Sequence, residues 1–78
     1  MAKIIVYSTE SCPYCHQLKD FLKKNKIKFT NIDVSKDKEK SKEMIDKSGQ
    51  MGVPVMDIDG KIIIGFDKEK IKKELKLT

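Results

Sequence analysis

The chain has no arginine and few aromatic residues, and both shortages argue against a nucleic-acid partner. All 17 basic residues are lysine, so the formal net charge of +5 comes without the planar guanidinium groups that bind phosphate and guanine in a bidentate manner. The aromatic residues do not alternate with lysines along one strand, as a base-stacking surface requires; they are Tyr7, Tyr14, Phe21, Phe29 and Phe66. We therefore expect a lysine-rich, solvated surface whose positive field attracts anionic thiol substrates.

Long hydrophobic runs are also missing. The N-terminal run, Ile4 to Tyr7, is too short for the hydrophobic region of a signal peptide, and no segment approaches the ~20 apolar residues of a membrane span. The 78 residues accommodate a single domain, residues 1–78, close to the lower size limit for folding without a disulfide or a metal. We expect a cytoplasmic monomer with no membrane partner.

Cysteine occurs at two positions, Cys12 and Cys15. Cytosolic reductants keep thiols reduced, so two closely spaced cysteines in that compartment indicate catalysis or metal binding more often than a structural disulfide. A tetrahedral zinc site takes four ligands, and beyond these two sulfurs the segment offers His16 and carboxylates. We therefore expect no metal and a redox role for the pair.

The two cysteines lie where a strand gives way to a helix. Apolar side chains on consecutive positions over Lys3–Tyr7 predict a central strand covered on both faces, and Pro13 suits the first position of a helix. A thiol in the first helical turn faces unpaired N–H groups and the positive end of the helix dipole, which favour a negatively charged sulfur. Cys12 is therefore the candidate nucleophile, and Cys15, one turn further on, is placed to form a disulfide with it.

The first helix and the segment after it predict a strand–helix–strand unit. Leu18, Phe21 and Leu22 recur at helical spacing and form an inward stripe, and the helix ends near Asn25. The extended segment Lys28–Val34 then predicts a second strand, parallel to the first and reached by a right-handed crossover.

The charged run that begins at Ser35 leads into a short second helix. Met44 and Ile45 give its later part an inward side, and Gly49 provides a stop. The segment is therefore interpreted as helix and not as a disordered linker.

A hairpin and a final helix complete the chain. The strands Val53–Ile58 and Lys61–Gly65 flank Asp59-Gly60, a dipeptide that favours a type I′ turn. Asp67 is suited to cap a helix. The inward residues of that helix are Ile71, Leu75 and Leu77.

Four short motifs occur in this order along the chain, and each falls at a junction between predicted elements. Together they resemble the glutaredoxins over essentially the whole chain. The resemblance implies the thioredoxin fold, an α/β structure of order β-α-β-α-β-β-α with a four-stranded mixed sheet flanked by three helices. The motifs are Cys12-Pro13-Tyr14-Cys15 followed by His16, Ser48-Gly49, Gly52-Val53-Pro54-Val55, and Gly65-Phe66-Asp67.

The resemblance implies a thiol–disulfide oxidoreductase that reduces protein disulfides, glutathione mixed disulfides or both. Cys12 attacks the disulfide, and either glutathione or Cys15 resolves the resulting mixed disulfide. Glutathione is then the reducing co-substrate and no cofactor is bound. The family also implies that Tyr14 contacts glutathione, with packing as its simpler role, and that Cys15→Ser retains glutathione exchange.

Further substrate contacts follow from the same resemblance. Pro54 is expected as a cis residue facing the sulfur, which leaves the Val53 backbone free to pair with an extended thiol peptide. Gly65 lets a ligand approach the backbone, while the Phe66 N–H and the Asp67 carboxylate hold the γ-glutamyl end of glutathione. Simpler interpretations stay open, with Pro54 as a trans residue at a strand start and Asp67 as a helix cap.

Two positions depart from the glutaredoxin pattern. Thr9 stands where the family usually has a lysine or arginine that holds a glutathione carboxylate. Ser41, between Lys40 and Lys42, stands at another position that is commonly basic or glutamine. The glutathione site is therefore matched in part.

Three alternatives remain open from the sequence. The segment before the last helix also resembles small redoxins that serve ribonucleotide reductase and are recharged by thioredoxin reductase. A second alternative is a carrier in which two chains and two glutathiones hold a [2Fe–2S] cluster through Cys12. The third is a nonenzymatic binding module that uses the lysine face.

Overall fold

In the computed structural model, which describes residues 3–50 and 52–75, four strands form one mixed sheet and three helices pack against it. The order of helices and strands confirms the β-α-β-α-β-β-α prediction. The elements are β1 Ile4–Ser8, α1 Pro13–Lys24, β2 Thr30–Asp33, α2 Lys38–Ser48, β3 Val55–Ile58, β4 Lys61–Ile64 and α3 Lys68–Leu75.

The sheet order β2-β1-β3-β4 places β1 and β3 side by side, so the cysteines that follow β1 and the start of β3 lie at the same end of the central strands. β1 pairs with β2 in parallel and with β3 antiparallel, so the end of β1 lies beside the beginning of β3. Tyr7, near the end of β1, is paired with Val55, the first residue of β3. The chain that leaves β1 toward α1 therefore passes next to the chain that enters β3.

Both faces of β1 are covered, as its consecutive apolar residues predict. On one face, Val6 packs with Leu18 of α1 and Ile71 of α3. On the other face, Tyr7 packs with Met44 of α2. All five side chains have 1% or less of their surface exposed, so the sheet is anchored to helices from both sides.

The ends of the first two helices follow from local side chains. The Asn25 side-chain amide donates to the Phe21 carbonyl at 2.8 Å and ends α1 where the sequence predicts. Asp37 caps α2 by accepting a hydrogen bond from the Lys40 N–H at 3.1 Å. Gly49 ends α2 with a left-handed φ of 75°, which L side chains adopt at a cost.

The hairpin between β3 and β4 turns at Asp59-Gly60. Both residues have positive φ, 50° and 93°, which is the signature of the predicted type I′ turn. The Gly60 N–H donates to Asp57 Oδ1 at 2.7 Å and the Asp59 N–H donates to the Lys3 carbonyl at 3.0 Å. The turn is thus tied both to β3 and to the residue before β1.

Several predicted boundaries were wrong by one to a few residues. β1 begins and ends one residue later than Lys3–Tyr7, and β2 is shorter than Lys28–Val34 because its pairing with β1 runs over residues 30–33. β3 begins at Val55 and not at Val53, since Pro54 has no N–H to donate to a strand ladder. β4 ends at Ile64, one residue before Gly65.

The last helix begins where Asp67 was predicted to cap it. Asp67 Oδ1 accepts a hydrogen bond from the Lys70 N–H at 3.2 Å. Ile71 is fully buried and Leu75 packs against the same cluster, whereas Leu77 lies outside the described residues. Within the described ranges, none of the helices has the length and apolarity to span a bilayer.

Candidate active site

Cys12 is the residue that precedes the first turn of α1, and its sulfur faces the backbone of that turn. Its φ and ψ of −94° and 112° are extended, and its sulfur accepts a hydrogen bond from the Cys15 N–H at 3.4 Å. The Cys12 carbonyl accepts from the His16 N–H at 3.2 Å, which starts the helix. Cys12 is half-buried, so a solvent-borne disulfide has access to a sulfur placed at the positive end of the helix dipole.

Cys15 lies one turn further on and is fully buried. Burial raises the pKa of its thiol to about 11, and hydrogen bonding to Cys12 acts in the same direction. Both cysteines are free thiols in the structure. The pair therefore consists of one partly exposed thiol, Cys12, and one fully buried thiol, Cys15, three residues later in the chain.

The segment Val53-Pro54 reaches the Cys12 sulfur from the other side. The peptide bond between these two residues is cis, as the glutaredoxin resemblance predicts. The Cys12 thiol donates to the Val53 carbonyl at 3.8 Å, and the Pro54 carbonyl accepts from the Gly65 N–H at 2.9 Å. These two contacts place the beginning of β3 between Cys12 and the end of β4.

The Gly65-Phe66-Asp67 segment lies at the mouth of an open groove. Gly65 has a φ of 77°, so the chain turns sharply after β4, and Phe66 packs edge-to-face on Phe21 of α1 with ring centroids 5.9 Å apart. The groove has a volume of about 550 Å³. Its lining residues are Gln17, Ile64, Phe66, Asp67, Lys68 and Glu69.

The structure therefore brings most of the predicted site residues to one edge of the molecule. Cys12, Cys15, Val53, Pro54 and Gly65 are linked by direct contacts or by one intervening residue. Phe66 and Asp67 line the adjoining groove, and Gln17 of α1 is a lining residue that the sequence interpretation missed. The signal for Gln17 was its position five residues after Cys12, on the next turn of the same helix.

Tyr14 and His16 extend from α1 into solvent. Tyr14 is 62% exposed, which removes packing as its role and leaves its ring available at the surface beside the cysteines. The His16 Nε2 atom lies 2.7 Å from the Glu10 carbonyl, and Lys36 Nζ lies 2.9 Å from Glu10 Oε1. The turn that precedes Cys12 is thus held from both α1 and the segment after β2.

A polar network that joins β1, α2 and β3 was not predicted from the sequence. Lys47 Nζ donates to Asp57 Oδ2 at 2.9 Å and to the Tyr7 hydroxyl at 3.0 Å, and that hydroxyl donates to Glu43 Oε2 at 2.7 Å. Burial opposes ionisation of Asp57, but the hydrogen bonds from Lys47 and from the Gly60 N–H outweigh it, so the pKa of the carboxyl is lowered. The feature of the sequence that could have indicated this network is Asp57, an aspartate inside the otherwise apolar strand β3.

Metal-ligating side chains are not clustered in the described part of the chain. Among residues 3–50 and 52–75, no three or more His, Cys, Asp or Glu side chains are grouped so as to hold a metal ion.

An accessible thiol at a helix N-terminus, with a second thiol one turn later and a backbone carbonyl facing it, defines a dithiol redox protein with a thioredoxin-like fold. The glutaredoxin family model matches residues 4–63. The chain belongs to the glutaredoxin family, and is a glutaredoxin-like thiol–disulfide oxidoreductase with a vicinal cysteine pair.

Individual relatives agree with this assignment. An uncharacterized glutaredoxin-like 8.6 kDa protein in the rubredoxin operon of Clostridium pasteurianum is 46% identical over 70 residues, which cover 90% of this chain and 93% of that protein. Glutaredoxin 3 of Escherichia coli (strain K12) is 37% identical over 67 residues, which cover 86% of this chain and 81% of that protein. The crystal structure of a mutant thioredoxin-like protein is similar with a TM-score of 0.92 and 33% identity, covering 100% of both chains.

Proposed function

We propose that this protein reduces protein disulfides and glutathione mixed disulfides by a two-cysteine exchange in which Cys12 attacks and Cys15 resolves. The observation that carries the proposal is the contrast between the two thiols. Cys12 is partly accessible at the helix N-terminus, whereas Cys15 is fully buried and its pKa is raised to about 11. This contrast assigns the first attack to Cys12, because the thiolate is the attacking species and the Cys15 thiol is both buried and harder to ionise.

In the first step, the Cys12 thiolate attacks one sulfur of the substrate disulfide. A bond forms between Cys12 and that sulfur, the substrate S–S bond breaks, and the other sulfur leaves as a thiolate that takes a proton from solvent. The dipole and N–H groups at the start of α1 stabilise the negative charge on Cys12 before the attack. The Val53 backbone, 3.8 Å from Cys12, is placed to pair with the substrate chain.

In the second step, Cys15 loses its proton and attacks the Cys12 sulfur of the mixed disulfide. The Cys12–Cys15 disulfide forms, and the remaining substrate sulfur leaves as a thiol, so two electrons have passed to the substrate. The hydrogen bond and the charge of Cys12 are among the causes that raise the pKa of Cys15. Both disappear when Cys12 enters the mixed disulfide, which makes Cys15 easier to ionise at the step that requires it.

Glutathione is proposed as the reductant that returns the disulfide to the dithiol. Two glutathione molecules supply the two electrons and leave as glutathione disulfide. The groove beside Asp67 and the start of α3 is open to a γ-glutamyl group, whose ammonium matches the carboxylate of Asp67. Tyr14, 62% exposed, offers its ring at the same edge.

A second donor, thioredoxin reductase, is favoured by one specific observation. The position before Glu10 is Thr9 and carries no cation, and the ammonium group of Lys36, which reaches this turn, is already paired with Glu10 at 2.9 Å. A glutathione carboxylate near this turn therefore competes with Glu10 for the ammonium group of Lys36. A protein donor does not depend on that contact.

The test measures turnover of a glutathionylated peptide and of a peptide disulfide by wild type, Cys12→Ser and Cys15→Ser. NADPH oxidation is followed with glutathione and glutathione reductase in one assay, and with thioredoxin reductase alone in another. We expect Cys12→Ser to lose all turnover and Cys15→Ser to retain activity on the glutathionylated peptide. Equal loss of turnover in both variants, together with reduction of the wild-type protein by thioredoxin reductase alone, would show that thioredoxin reductase and not glutathione is the electron donor.

A further inference from the structure

The connection between α2 and β3 carries Val53, and an ion pair joins its two ends. Lys47 is the second-last residue of α2 and Asp57 is the third residue of β3. Their charged atoms, Nζ and Oδ2, are 2.9 Å apart. We refer to residues 48–50 and 52–56, which lie between them in the sequence, as the loop, and the Val53 carbonyl of this loop faces the Cys12 sulfur at 3.8 Å.

The ion pair is held in place by the sheet. Lys47 Nζ also donates to the Tyr7 hydroxyl at 3.0 Å, and Asp57 Oδ1 accepts from the Gly60 N–H at 2.7 Å. Tyr7 is fully buried, and the Asp57 side chain is 10% exposed. The contacts with Tyr7 of β1 and with Gly60 of the hairpin turn therefore hold the charged groups of Lys47 and Asp57 in one arrangement.

The beginning of the loop is rigid as well. The Ser48 hydroxyl contacts the Met44 carbonyl at 2.7 Å and the Gln50 carbonyl at 3.1 Å, and the Gly49 N–H donates to the Ile45 carbonyl at 2.7 Å. These contacts tie the residues that follow Lys47 to the last turn of α2.

Stability alone does not account for the ion pair. Desolvation of two charges offsets much of their attraction, and well-packed apolar side chains of similar volume often stabilise a fold equally well. Val55, two residues before Asp57 and on the same face of β3, is fully buried among apolar side chains, so this face is suited to an apolar residue at position 57. What an apolar pair lacks is directional bonding across the loop.

We propose that Lys47 and Asp57 are positioning residues, whose ion pair holds the Val53 backbone at the place where a peptide disulfide substrate pairs with it before Cys12 attacks. The proposal rests on the proposed function, in which Val53 contacts the substrate chain. Neither residue reacts. Loss of the pair is expected to weaken substrate binding more than it slows the chemical step.

The test is the double variant Lys47→Met/Asp57→Leu, which removes both charges and leaves neither one buried alone. We expect its KM for a peptide disulfide to rise about tenfold, because displacement of a positioned group by a fraction of an ångström weakens a bound geometry. Its kcat is expected to fall by less than its KM rises, because the chemical step is carried out by Cys12 and Cys15, and neither Lys47 nor Asp57 forms a hydrogen bond with them. Lys47→Arg, which keeps the charge, is expected to retain a KM near that of wild type.

The matched control is Lys61→Met/Glu74→Leu, which removes an ion pair of 3.1 Å between β4 and α3, away from the loop. A wild-type KM in Lys47→Met/Asp57→Leu, or an equal rise in the control, would overturn the positioning role. Circular dichroism checks folding, and Lys47→Gln supplies the same test with a smaller change if the double variant is unfolded. Failure of the proposed function is distinct, because wild type itself would then not turn over the peptide disulfide.

Discussion

The sulfur of Cys12 lies 3.8 Å from the carbonyl oxygen of Val53, although the two residues are 41 positions apart in the sequence. The contact joins the turn after β1 to the chain that enters β3. It leaves the nucleophile beside a stretch of backbone that is not part of a strand ladder, since β3 begins at Val55. A substrate chain that reaches Cys12 therefore meets backbone hydrogen-bonding groups at the same place.

The two thiols are expected to differ strongly in reactivity. With limiting iodoacetamide at neutral pH, the reduced native protein should be alkylated at Cys12 and not at Cys15, because Cys15 is fully buried and its pKa is raised to about 11. Peptide mass spectrometry of the alkylated protein measures the ratio. The control is the same reaction in guanidinium chloride, where both cysteines should react. Comparable labelling of the two in the native protein would contradict the assignment.

The burial of Cys15 also predicts a loss of stability in alkaline solution. Its pKa rises from an ordinary value of 9.0 to about 11 on folding, so the folded state binds the proton more tightly than the unfolded state. Stability from this group is therefore complete below pH 9 and is lost as the pH rises through 11, by about 3 kcal/mol in total. Denaturant unfolding under reducing conditions, between pH 8 and 11, measures it.

The matched variant for that measurement is Cys15→Ala. Other groups also make stability depend on pH in this range, Lys47 among them, since its hydrogen bonds to Tyr7 and Asp57 raise its pKa on folding. The difference in unfolding free energy between wild type and Cys15→Ala isolates the thiol. A difference that does not shrink as the pH rises would show that Cys15 ionises as easily in the folded protein as in the unfolded chain.

The ion pair of α2 and β3 predicts an asymmetry between its two partners. Lys47→Met leaves a carboxylate that is 10% exposed without its cation, and should lower the free energy of unfolding by about 3 kcal/mol. Asp57→Asn keeps an acceptor for the Gly60 N–H and leaves a lysine whose side chain is 34% exposed, so the cost should be about 1 kcal/mol. Urea denaturation of both variants compares them. Equal losses of unfolding free energy in the two variants would show that the difference in exposure between Lys47 and Asp57 does not determine the cost of leaving either one unpaired.

Substitution of Gly49 should lower stability through its backbone conformation and not through a steric clash of the new side chain. Its φ is 75°, and a Cβ added there meets no atom within 4 Å, so Gly49→Ala is expected to cost about 1 kcal/mol through the left-handed conformation. Gly49→Asn should cost less, because asparagine tolerates this region better. Thermal unfolding separates the two. An alanine variant as stable as wild type would show that the helix end has shifted.

Much of the fold was predictable because its signals are local. Pro13 marks the start of α1, Asn25 and Gly49 mark helix ends, and Asp59-Gly60 marks the hairpin. Each acts through its own backbone conformation or a hydrogen bond within a few residues. The predicted order of elements and the position of the cysteine pair were correct for this reason.

Strand boundaries and the polar network were not predictable from local pattern. The length of β2 is set by the residues of β1 that it pairs with, and β3 starts late because of Pro54. The network of Tyr7, Lys47 and Asp57 joins residues from three elements. Its members are distant in sequence, so only the assembled sheet and α2 reveal it.

The role of Cys12 as the sulfur that attacks the substrate disulfide is tested most directly by trapping its mixed disulfide. The Cys15→Ser variant is incubated with a peptide disulfide, quenched with acid, and analysed by intact and peptide mass spectrometry, with Cys12→Ser treated in parallel. We expect a covalent peptide adduct at Cys12 in Cys15→Ser and none in Cys12→Ser. An adduct at Cys15 in Cys12→Ser, formed at a comparable rate, would contradict the account.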